Sequence, residues 1–144
     1  MTHLDKGKFA KKHPPERRPI PEVTDAVQER AEGNEIGCAA AFEIAAEKNV
    51  SPSEVGLAID CLEVTIVRCQ LGLFGYPPKR SIVEPAASVD PELEAAIRSS
   101  LVDGRLPCAS AWRIAGERGV SKMAVSSACE ALGIKISSCQ LGAF

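Results

Sequence analysis

The apolar positions of this chain change period several times, and each change marks an element. In PEVTDAVQERA and PELEAAIRSSL, Val23 and Val27, then Leu93 and Ile97, lie four apart, which is the stripe of an amphipathic helix. Each stretch opens on Pro-Glu. Proline suits a first turn because its missing N–H would have no partner there, and early acids suit the helix dipole. A Gly-bearing break, GNEIG or DGRLP, leads into alanine-rich CAAAFEIAAEKN and CASAWRIAGERG, each with one aromatic, Phe42 or Trp112. Both end on residues that tolerate a left-handed C-terminal cap, Asn49 and Gly119. A third helix follows at once. Ser51-Pro52-Ser53-Glu54 offers a serine N-cap, proline at the first helical position and the glutamate of a capping box. Ser121 repeats the cap, with Ala124 in place of the glutamate. After Leu62 and Leu132 the period falls to two: Val64 and Ile66, then Ile134 and Ile136, share a face as in a half-buried strand.

These parallels are one repeat. Shifting the chain by 70 residues aligns Pro21–Phe74 with Pro91–Phe144 without a gap, and 20 of the 54 aligned positions are identical. Two copies are too few for a solenoid, and a unit of this size buries only about 60% of its unfolded surface, so the copies are expected to pack together. The expected organisation is a basic arm at 1–20, a first unit at 21–75, a linker at 76–90 (GYPPKRSIVEPAASVD and its surroundings) and a second unit at 91–144. Each copy closes on CQLG, at 69–72 and 139–142. The phrase is expected to fold Leu71 with Phe74, and Leu141 with Phe144, beneath the helices of its own copy. The strands at 64–69 and 134–139 are expected to pair with each other, which would hide their edges.

Composition adds the charge asymmetry. Hydrophobic residues make up 45% and charged residues 25%, an ordinary globular balance. Residues 1–20 carry six Lys or Arg against two Asp or Glu, residues 21–80 five against ten, and residues 81–144 six against seven. A basic, proline-bearing arm thus precedes an acidic first unit and a near-neutral second one. No apolar run approaches the ~18 residues that span a bilayer, and MTHLDKGKFAKKHPPERRP lacks the apolar core of a signal peptide. The expected location is the cytoplasm, with no membrane partner and with reduced cysteines.

The segment IAGERGVSKMAVSSACEAL resembles the helix-turn-helix of DNA-binding proteins. The resemblance rests on Ala115, Gly119 four residues later, Val120-Ser121 in the turn, then Val125 and Ala128 facing inward. Ala45, Asn49, Val50, Ser51, Val55 and Ala58 match in the first copy. A small alanine lets helices cross closely, glycine takes the left-handed turn, and the valines at 50, 55, 120 and 125 would plug the angle. What the resemblance implies is a mainly α fold: two tandem trihelical helix-turn-helix units, each followed by a short β-strand, packed as an intrachain pseudo-dimer. It also implies DNA as partner and transcriptional regulation as the role. The groove-facing positions would be Ser121, Lys122, Met123, Ser126 and Ser127, matched by Ser51, Pro52, Ser53, Gly56 and Leu57. Arg113 and Arg118 would support the second copy as the reader, and Lys11, Lys12, Arg17 and Arg18 would let the arm track the minor groove or backbone.

The alternative is a protein-interaction or scaffold module of the same fold. Lys122 alone among those ten positions is a usual base reader, and Glu54, Asp60 and Glu63 on the first copy's third helix would face phosphates badly. The cysteines leave three readings open. Cys38 and Cys69 are 31 apart, as are Cys108 and Cys139, so each pair holds a matched place, whereas Cys61 and Cys129 have no counterpart. They could be packing residues, a metal or redox sensor of four thiolates, or disulfides. No CxxC or Cys/His spacing is present, so no metal ligand or cofactor is assigned. No enzyme is expected: His3 and His13 sit in the arm, and no nucleophile–base pairing or Gly-rich phosphate loop occurs.

Overall fold

A computed structural model describes residues 18–144, so Lys11, Lys12 and Arg17 lie outside the described residues. The fold is mainly helical. Helices α1 (Pro21–Arg30), α2 (Cys38–Lys48) and α3 (Pro52–Cys61) are followed 70 residues on by α4 (Pro91–Ser99), α5 (Cys108–Arg118) and α6 (Lys122–Leu132). The short strands are β1 (Glu35–Gly37), β2 (Thr65–Val67), β3 (Leu106–Pro107) and β4 (Ile136–Ser137). No helix among the described residues is long and apolar enough to cross a membrane.

Local chemistry sets the helix ends. Asn49 and Gly119 both take left-handed conformations, with φ of 55° and 66°, and the amides of Val50 and Val120 reach back to the carbonyls of Ala45 and Ala115 at 3.0 Å. Two residues later the serine caps begin the next helix. The Ser51 hydroxyl accepts from the Glu54 amide and the Ser121 hydroxyl from the Ala124 amide. Inside each bent pair Val55 and Val125 are wholly buried, as is Ile44, with Ile114 nearly so. The turn valines do not plug the angle as expected. Val120 is 39% exposed and Val50 half-buried, because the left-handed cap directs the following residue outward while the small alanines at 45 and 115 already close the gap.

The strands do not pair with each other. β1 pairs with β2 in parallel, Ile36 opposite Ile66, and β3 pairs with β4 in parallel, Leu106 opposite Ile136. The breaks read as loops, GNEIG and DGRLP, each supply a strand. Parallel pairing requires a crossover of a dozen or more residues, and the intervening helix pair provides it. Each strand therefore hides its inner edge within its own repeat.

Two compact units form. One comprises residues 18–69 together with Gln140–Phe144, and the other is Gln70–Cys139. Residues 70–75 and the connecting stretch at 76–90 thus belong to the second unit, and 140–144 to the first. The CQLG phrases do close cores, but not those of the copies they end: Leu71 and Leu141 are 0% and 2% exposed, each in the unit built from the other copy's helices. Phe144, expected beneath the helices, is exposed.

The backbones of the copies agree even where their residues differ. Left-handed φ recurs at Gly33 and Asp103, Asn34 and Gly104, Asn49 and Gly119, Glu63 and Gly133, Arg68 and Ser138, and Gly72 and Gly142. A glutamate at φ 54° crowds its Cβ against the backbone, where Gly133 does not. Glu63→Gly is expected to stabilise the chain by about 0.5–1 kcal/mol, seen as a higher midpoint in thermal unfolding. A lowered midpoint would mean the Glu63 side chain contributes more than the strain costs.

Candidate nucleic-acid interface

The third helix of each unit begins in solvent and then passes under cover. In the second unit Ser121 is exposed at the N-cap, and Lys122 places its Nζ 4.4 Å over the Trp112 ring of α5. This cation–π contact holds the lysine against its own helix pair. Met123 is half-buried, and a Cβ built on Gly72 would meet its Cε at 3.0 Å. Ser126 is 1% exposed, and its hydroxyl donates to the Leu71 carbonyl at 2.6 Å. That bond is much shorter than the approach to the carbonyls of Met123 and Lys122 at 3.3 and 3.4 Å, so the hydroxyl serves the incoming segment more than its own helix. The Ser127 carbonyl accepts from the Ala86 amide at 3.0 Å. Leu71, Gly72 and Ala86 therefore come against α6 at three of the positions that the resemblance assigns to the DNA groove.

The first unit repeats the arrangement with different chemistry. Ser51 and Ser53 are exposed, their hydroxyl oxygens 3.0 Å apart. Gly56 and Leu57, one turn further along, are buried. A Cβ on Gly56 would fall 2.1 Å from the Leu141 carbonyl oxygen, a distance no side chain can occupy. The bare glycine admits a backbone carbonyl directly against α3. Where Gly56 yields space, Ser126 offers a hydrogen bond, and both receive the carbonyl of the leucine in CQLG.

The remaining candidates are scattered. Arg113 pairs with Glu117 at 3.1 Å and donates to the Ser100 hydroxyl at 2.9 Å, and Arg118 pairs with Glu92 at 3.1 Å. All are exposed pairs, weakly held by solvent-screened attraction. Arg18 is exposed. Ser121, Lys122, Arg113 and Arg118 thus remain accessible, whereas Ser126 cannot reach a base edge and Met123 and Ser127 are partly covered. The repeat reading places Gly56 at the groove and Leu71 and Leu141 in the cores of their own copies; it misses that each leucine carbonyl seats on the third helix of the other copy, Leu141 at Gly56 and Leu71 at Ser126. One signal was available: glycine inside a helix costs about 1 kcal/mol against alanine, which points to a close approach.

Removing the buried bond tests the seat on α6. Ser126→Ala is expected to cost about 1–3 kcal/mol, because the Leu71 carbonyl loses its donor while staying out of water. Denaturant titration measures the loss; an unchanged midpoint would show that the carbonyl finds another partner.

The cysteines are thiols, with Cys38, Cys69 and Cys108 buried and Cys139 half-buried. Among the described residues no group of three or more His, Cys, Asp or Glu side chains could hold a metal ion. Burial, reinforced by Glu130, pushes the Cys129 thiol from 9.0 up to about 11, and burial with Asp60 also raises that of Cys61. For Cys129 the unfolded chain releases its proton near 9 while the folded chain keeps it. Stability contributed by the neutral thiol is therefore full below pH 9 and falls as pH rises toward 11. The expected alkaline loss of stability is smaller in Cys129→Ala, measured by denaturant midpoints across that window; an identical pH profile in the variant would contradict it.

No family model, curated protein or solved structure matches the chain.

Proposed function

We propose that this protein is an interaction module of two tandem helix-turn-helix units, joined as an intrachain pseudo-dimer, whose third helices are seats for turned Leu-Gly segments of protein rather than readers of base edges. One observation carries the reading: the face that would enter a DNA groove is covered in both units by a CQLG phrase, at Gly56 in one and at Ser126 in the other. A helix that reads bases must bring its side chains to the groove floor. Ser126 spends its hydroxyl on a backbone carbonyl, and Leu57 is 1% exposed. The acidic balance of residues 21–80 agrees with a protein rather than a phosphate partner. The test is calorimetric titration of a peptide of residues 137–144, SSCQLGAF, into a Leu141→Ala chain whose own phrase no longer fills the seat. Saturable binding that Gly56→Ala abolishes supports the reading, and no binding counts against it.

A DNA-binding regulator is the second reading, favoured by the basic residues at 1–20 and the exposed Ser121–Lys122 end of α6. On that reading Lys11, Lys12, Arg17 and Arg18 neutralise phosphates, and Arg113 and Arg118 add to the same surface. Affinity for duplex DNA would then fall steeply between about 50 and 200 mM salt. Sequence discrimination that disappears in Lys122→Ala would favour this reading over the first.

A further inference from the structure

We infer that a second copy of this chain can fill the seat on α3, its residues 140–144 entering in trans where the chain's own segment otherwise lies. The inference rests on the proposed reading of the third helices as Leu-Gly seats and names the occupant.

Three observations and one general argument lead to it. The first unit is not closed by its own repeat: residues 18–69 are completed by Gln140–Phe144, more than 70 positions further on. Its seat is close-fitting: a Cβ at position 56 would lie 2.1 Å from the Leu141 carbonyl oxygen, so this approach needs a glycine there. The incoming phrase has a fixed shape, Leu141 buried and Gly142 left-handed at φ 83°, the same shape that Leu71 and Gly72 hold at φ 77° in the second unit. The contacts made by that shape are also indifferent to which molecule supplies it. An element exchanged between identical protomers makes the same bonds in either arrangement, and only the loop-closure and association entropies differ.

Concentration then decides the outcome. A tethered segment competes with an effective concentration on the order of millimolar, so the closed monomer prevails in dilute solution. Exchange becomes visible when the cis route is blocked in both partners but one good seat and one good phrase remain between them.

The experiment builds that situation from full-length chains. Leu141→Ala keeps an intact seat and lacks a competent phrase, and Gly56→Ala keeps an intact phrase and lacks a seat. Mixed at about 100 µM, well below the tethered value, they are expected to form a one-to-one heterodimer by native mass spectrometry and light scattering, while each alone stays predominantly monomeric. No heterodimer overturns the inference. If the heterodimer is missing while the SSCQLGAF peptide still binds the Leu141→Ala chain, the seat reading stands and only the second-copy occupant falls; if neither forms, both fall. A measurement independent of the Leu141 variant uses isotopically light and heavy wild-type chains concentrated together to about 1 mM, where the seats are contested. Mixed-isotope dimer that Gly56→Ala reduces several-fold supports the inference, and its absence overturns it.

Discussion

Replacing Leu141 by alanine is expected to loosen the first unit and spare the second, although Leu141 follows the last strand of the second copy. Its side chain is 2% exposed, and residues 140–144 belong to the unit of α1, α2 and α3. Truncating a buried leucine removes transfer energy and leaves a cavity, a loss of about 2–5 kcal/mol. Native-state hydrogen exchange locates it, since protection reports the opening energy of each element. Amides of α3 should lose protection on that scale while amides of α6 keep theirs. Leu71→Ala should give the mirror result, with α6 loosened and α3 kept. If Leu141→Ala deprotected α6 first, each phrase would belong to its own copy and the crossed assembly would be wrong.

Gly56→Ala is expected to destabilise a helix position where alanine normally helps. Inside a helix the exchange ordinarily gains about 0.5–1 kcal/mol. Here the new Cβ would lie 2.1 Å from the Leu141 carbonyl oxygen, so the backbone of 140–144 must withdraw. Overpacking of this kind costs about 1–3 kcal/mol, and contact with backbone rather than a flexible side chain places it at the upper end. The net expectation is a loss of about 1–2 kcal/mol, or a fall in Tm of roughly 5–10 °C for a unit of this size. Gly116 provides the control. A Cβ there meets nothing within 4 Å, so Gly116→Ala in α5 should raise the midpoint slightly. Equal behaviour of the two substitutions would remove the basis for a seat on α3.

The legible features were those fixed within a few residues. Pro21 and Pro91 open their helices, Ser51 and Ser121 cap theirs, and Asn49 and Gly119 take the left-handed turn, because capping and turn chemistry act between neighbours in sequence. Val64 and Ile134 are buried just before their strands, whereas Ile66 and Ile136 inside them are half-buried and the expected alternation is not seen. Their strands were legible, but not their partners: alternation says which face is buried and nothing about which edge is met. The burial of Ser126 was hidden for a related reason. Ser121, Lys122 and Ser126 were assigned from the resemblance to a helix-turn-helix, and a local resemblance cannot report that Leu71, Gly72 and Ala86 come against the same helix.

By itself the sequence determined a duplicated run of three helices, their limits and the left-handed caps at Asn49 and Gly119, since each copy carries the local chemistry that produces them. Only the tertiary structure decided which unit each CQLG phrase completes. The two phrases are identical over four residues and adopt the same backbone, so nothing within them distinguishes one destination from the other. The two seats differ far from the phrases in the chain, with a missing Cβ on Gly56 in one and a hydroxyl on Ser126 in the other, and each meets a leucine carbonyl only once packing has brought it there.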